Sequence, residues 1–164
     1  MTDLATSAAE NAGLSYMTAE EMQAKVFRLT GFQHPAFDQF ADVLGRYDPA
    51  TGLRTVDRPT LVSVLFMQKV AGQVADMVLE RETFLSDDER VVFVGVDLAQ
   101  SPDDAALAAF IARLATRWLA WPLGDASAAQ MAAVFRRAEP DRGTPAAYRD
   151  VIASCLEHGG LYYY

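Results

Sequence analysis

The sequence predicts an all-α protein, a single compact helical domain of about six helices, and three observations carry that reading. Helix start signals recur along the chain. Thr18-Ala-Glu-Glu21, Asp57-Arg-Pro59, Ser101-Pro-Asp-Asp104, Ser127-x-x-Gln130 and Thr144-Pro145 each precede apolar residues at i, i+3, i+4 and i+7 spacing. Only Val91-Val-Phe-Val-Gly-Val-Asp-Leu98 has the β-branched composition of a strand, and no second run of comparable strength exists to pair with it. Finally, 164 residues with 51% hydrophobic and 22% charged side chains form a chain that buries roughly 70% of its extended surface on folding, enough for a core without disulfide or metal.

The elements follow in order. Residues 1–13 are small and polar and read as a flexible lead to a domain spanning 14–164. The Thr18–Glu21 capping box opens a helix with Met22, Val26 and Leu29 on one face and Gly31 as its stop. A second helix follows Pro35, with Phe37, Phe40 and Leu44 on one face and Gly45 ending it; Tyr47 to Leu53 is turn chemistry. The third and longest helix takes Asp57 as N-cap and runs towards Glu80, with Leu61, Val64, Leu65, Gln68, Ala71, Val74, Ala75 and Val78 as its core face. Ser86-x-x-Glu89 can open a helical turn, after which 91–98 is read as an extended apolar segment laid across the helices. Ser101 caps the next helix, which buries Leu107, Phe110, Ile111, Leu114, Trp118 and Leu119 and stops at Trp121-Pro122. Asp125 or Ser127 caps another, with Met131, Val134 and Phe135 inside. Thr144-Pro145 opens the last, with Tyr148, Val151, Ile152 and Cys155 inside.

Composition narrows the function. Lys and Arg number 14 against 22 Asp and Glu, so the net charge is 14 − 22 = −8, and the cations are scattered. That argues against nucleic acid, whose phosphates need a basic face. The lone Cys155 excludes an internal disulfide framework, a four-cysteine zinc centre, a self-contained iron-sulfur cluster and a CxxC redox pair. No signal-peptide pattern is read in the first residues, and the longest apolar stretches, Leu61–Met67 and Val91–Val96, fall short of the ~20 residues of a membrane-spanning helix.

Three segments carry a partial resemblance. Leu14 to Gly31, the long helix from Pro59, and Phe110 to Asp125 followed by Gly143 and a terminal Gly-Leu-Tyr are together similar to helical domains of large exported planctomycete and myxobacterial proteins of unknown function, which commonly accompany c-type haem-binding segments. The chain departs from their pattern at Ala120-Trp121, where the family has paired Arg, and at His158-Gly159, where it has Ser-Pro. The resemblance implies an exported, periplasmic, redox-associated context and assigns no catalytic residue.

Candidate chemistry is sparse. Cys155-Leu-Glu-His158 lacks the Cys-x-x-Cys-His needed for covalent haem, and a Cys-His pair alone falls short of a metal site. Asp48-Pro-Ala-Thr-Gly52 lacks calcium-loop ligands at its third and fifth positions. Phosphate-binding loops and serine-nucleophile motifs do not occur. The aromatic residues offer another lead: Trp121 with Tyr162, Tyr163 and Tyr164 forms a candidate adhesive surface if exposed, or part of the core if the tail folds back. The expectation is therefore a non-enzymatic structural or protein-interaction component with a protein partner or as a homo-oligomer. An electron-transfer-associated protein that binds non-covalent haem through His34, His158 or a Met is the alternative, and a hydrolase using scattered acids is a third class.

Overall fold

The computed structural model describes residues 15–56, 58–120 and 122–163, and among them it is all-α: seven α-helices and two 3-10 turns, with no strand. The residues read as a flexible lead, together with Asp57, Trp121 and Tyr164, lie outside the described residues.

Helix α1 (Ala19–Thr30) begins as predicted. Thr18 accepts a bond from the Glu21 amide while the Glu21 carboxylate accepts one from the Thr18 amide. It ends at Gly31, whose φ of 76° lets its N–H reach the Phe27 carbonyl. The predicted second helix is two single turns, α2 (Ala36–Gln39) and α3 (Ala41–Leu44), broken at Phe40. Phe37 and Leu44 are buried, but Phe40 turns outward.

The central helix α4 (Leu61–Glu82) is capped by Thr60, not Asp57; Thr60 and Ser63 bond reciprocally at 3.1 and 2.8 Å. Its core face also differs from the prediction. Ser63, Phe66, Met67 and Val70 point inward in its first half, and Leu61, Leu65 and Gln68 do not. Apart from Ser63 the first two turns are apolar all round, so hydrophobic periodicity there leaves the rotational phase open, and packing chose it. By length and composition the helix is long and apolar enough to cross a membrane, its most apolar 18-residue window having a mean hydropathy of 1.3, although 44% of that window is buried inside the protein.

After α4 the chain runs through a 3-10 turn (Asp87–Glu89), closed by the Ser86–Glu89 box, into the 91–98 segment, which forms no strand and is a run of bends and turns instead of the extended stretch expected, the Val96 amide donating to the Phe93 carbonyl at 3.0 Å and Gly95 adopting a φ of 68°. Glu82 organises it. Fully buried, its carboxylate accepts main-chain N–H bonds from Val91, Val92 and Phe93 at 2.9–3.1 Å and one from Arg81 Nη2 at 2.8 Å. Three successive main-chain donors that would otherwise be left without a partner are thus satisfied by one side chain, which curls the segment around it. Phe93, at 0% exposure, then stacks on Phe110 and meets Tyr148 edge-on.

Helix α5 (Asp104–Trp118) is capped by Asp103, whose carboxylate accepts from the Ala106 amide at 2.7 Å, and not by Ser101. Helix α6 (Asp125–Arg142) starts after Gly124, so Ser127 lies inside its first turn and caps nothing. Helix α7 (Thr144–Glu157) opens with Pro145 in its first turn and buries Tyr148, Val151, Ile152 and Cys155 as predicted. It packs most extensively on α4 and α6 and is the spine of the core. A closing 3-10 turn (Gly159–Tyr162) returns the chain to α1.

Candidate interaction surface

The phase adopted by α4 leaves large apolar side chains in water. Leu61, Leu65 and Val62 are 74%, 56% and 52% exposed. Leu61 and Leu65 are one helical turn apart and Val62 is three before Leu65, so the three share a stripe. Phe40, with its ring centroid 5.2 Å from that of Phe66, extends the apolar area towards α2 and α3. Exposed Arg58 precedes the stripe, and exposed Gln68 and Lys69 close its other end.

No Asp or Glu occurs between Arg58 and Ala75, in a chain of net charge −8. One turn beyond Lys69 the same side of the helix turns polar and is crossed by an arginine. Arg149 of α7 donates to the Gly72 carbonyl at 2.8 Å and binds both oxygens of Asp76 at 2.7 and 2.8 Å. The open apolar area is therefore confined to the first turns of α4. Sequence reasoning assigned Leu61 and Leu65 to the core. The available clue was Thr60-x-x-Ser63, which as a cap places the helix start after Pro59 and turns Ser63 towards Tyr16.

The residues singled out by sequence lie elsewhere. Tyr162 and Tyr163 are 4% and 3% exposed, so they do not form the adhesive surface considered for them. Their rings pack on Tyr16 at 6.4 and 5.7 Å, the Met17 amide donates to the Tyr162 carbonyl, and Lys25 Nζ donates to the Leu161 and Tyr163 carbonyls at 3.0 and 3.1 Å. The tail folds back because three large rings and a lysine stem provide a surface for it. Burial among them raises the Tyr16 hydroxyl to about 12 and lowers the Lys25 ammonium to about 8. Trp121 and Tyr164 lie outside the described residues.

His34 and His158 belong to different elements. His34 precedes α2, its Nδ1 accepts from the Ala36 amide at 3.3 Å, and partial burial, helped by the Lys69 charge and opposed by a hydrogen bond with Gln73, holds it below its ordinary value. His158 caps α7 and is likewise lowered by burial. Cys155 is fully buried with Met131 Sδ 3.5 Å from its Sγ, and burial pushes its thiol up to about 12, so it carries no thiolate at neutral pH. Among the described residues no three His, Cys, Asp or Glu side chains are grouped to hold a metal.

Two further places gather side chains. Around the Tyr148 hydroxyl, raised by burial, are Glu139, Arg136, Arg113 and Asp97; Arg136 binds Asp104 at 2.9 Å, Glu139 at 3.3 Å and the Pro102 carbonyl at 2.9 Å, tying α6 to the start of α5. Arg113 lies over the Phe110 ring at 5.5 Å. A shallow groove of about 400 Å³ is lined by Ala112, Ala115, Thr116, Leu119, Ala120, Pro122 and Leu123 and presents one hydroxyl and no charged group. Neither histidine borders it.

Comparison with known protein families, curated proteins and solved structures returns no match to this chain.

Proposed function

We propose that the protein is a non-enzymatic interaction component that docks a protein partner through the apolar stripe at the start of α4. The observation that carries the reading is the exposure of Leu61, Val62 and Leu65 side by side on a rigid helix whose opposite face is core. Single exposed apolar residues are ordinary, whereas neighbouring ones on one element mark a surface that another molecule covers. Helical backbone also lowers the cost of docking, because the contacting side chains are already positioned.

The buried, neutral Cys155 thiol and the satisfied Glu82 carboxylate supply no reactive group to this face. The test is a photo-reactive residue installed at Leu65 in cells that express the protein, with Arg137, exposed on α6, as the control position. A polypeptide adduct formed at Leu65, absent from the control and lost on adding Val62→Glu, is the expected result. Adducts to lipid alone, or equal adducts at both positions, would overturn the reading.

A further inference from the structure

We infer that the occupant of the α4 stripe is a second copy of this chain, joined by antiparallel contact of the two α4 helices about a two-fold axis at Leu65; this rests on the docking reading above. The argument is one of charge and register. A molecule carrying −8 repels its own copy over most of its surface, and the stripe from Arg58 to Ala75 is free of carboxylates. A two-fold contact is self-complementary, so each residue of the stripe has a defined opposite.

With the axis at Leu65 in an antiparallel pair, Leu65 faces Leu65, Leu61 faces Lys69 and Val62 faces Gln68. The alkyl stem of Lys69 then covers Leu61 while its ammonium reaches water, and the Gln68 stem covers Val62. Parallel alignment would instead set Lys69 directly against Lys69, which like-charge repulsion disfavours. Phe40, beside Phe66 and so level with the axis, borders the contact and adds apolar area at its flank. The stripe ends where the Arg149–Asp76 ion pair crosses the helix, so the contact is short and the dimer belongs to the small, reversible class of interfaces.

An anionic membrane is the less favoured occupant, because Arg58 and Lys69 are only two cations where lipid-binding surfaces gather about 4–8.

The experiment combines sedimentation equilibrium with disulfide trapping in the full chain. Wild type is expected to shift from monomer towards dimer as concentration rises to about 1 mM, the weak end of specific association. Leu65→Glu is expected to stay monomeric with an unchanged circular dichroism spectrum; should that variant misfold, Leu65→Gln takes its place. In the Cys155→Ala background, Leu65→Cys is expected to oxidise to a covalent dimer. Leu61→Cys is expected to cross-link with Lys69→Cys and not with itself. A wild-type monomer at every concentration, or self-cross-linking of Leu61→Cys, overturns the antiparallel second copy. If the chain is monomeric yet the Leu65 photo-adduct is a different polypeptide, the second copy falls and the docking reading stands. If the chain is monomeric and instead co-sediments with phosphatidylglycerol vesicles in a Leu65-dependent way, both fall.

Discussion

Replacing Glu82 by Ala should destabilise the protein more than any surface change of equal size, and the magnitude follows from what the carboxylate holds. Four groups donate to it: the Val91, Val92 and Phe93 amides and the Arg81 guanidinium, all within 3.1 Å, around a side chain of 0% exposure. Hydrogen bonds to an ionised group each contribute about 1.5–3 kcal/mol, and they do not add when they share one acceptor. Removing the acceptor leaves the Val92 and Phe93 amides buried without a partner, and loss of one side of a buried charged network costs about 3–5 kcal/mol.

Against a total stability of about 5–15 kcal/mol, that is about a fifth at the least and most of it at the low end of the range. At this chain length it corresponds to a fall in Tm of roughly 6–20 °C. Glu82→Gln keeps the volume but turns an NH₂ towards the amides, so it should lose about 1–3 kcal/mol, between wild type and Ala. Urea unfolding followed by far-UV circular dichroism measures both, and hydrogen exchange at Val92 and Phe93 reports the segment directly. If both variants fall within about 0.5 kcal/mol of wild type, as surface substitutions do, Glu82 does not anchor 91–98 and the reasoning fails.

Two further outcomes bear on the same core. Deleting Tyr162 to Tyr164 removes two buried rings and the acceptor of a Lys25 bond, so it should cost at least the ~3–5 kcal/mol of a large core truncation, instead of sparing the fold as a free tail would. An unchanged Tm on deletion would place the tail outside the core. Cys155 gives a pH signature. Its folded thiol is raised from 9.0 to about 12, so below pH 9 its contribution is fully present, and between pH 9 and 12 the unfolded chain ionises first and stability is lost. Cys155→Ala should therefore flatten the alkaline limb of the stability curve by up to about 1.4 kcal/mol per pH unit, and parallel curves for the two proteins would contradict the burial argument.

Sequence alone determined the features whose causes lie within a few residues. The Thr18–Glu21 and Ser86–Glu89 boxes, the Gly31 stop, the Pro145 start and the single apolar stripes of α1, α5 and α7 were legible because capping bonds and helical periodicity are local. The all-α class and the irregular 91–98 segment follow from the same signals. Three other capping patterns misled: Asp57, Ser101 and Ser127 lose to Thr60, Asp103 and Gly124, since several nearby residues could start each helix and tertiary contacts decide among them.

The candidate surface was hidden for a related reason. A helix apolar on every side has no preferred phase until something packs on it, so Leu61 and Leu65 could be core or surface by pattern alone. Contact of Phe66 with Phe37 and of Ser63 with Tyr16 fixed the phase and left the leucines outside. The closing tyrosines were undecided in the same way. Whether an aromatic tail adheres to a partner or to its own core depends on what waits for it, here Tyr16 and Lys25, more than a hundred residues back along the chain. Local bonds chose the elements; burial, which pairs residues distant in sequence, chose which of their faces meet water.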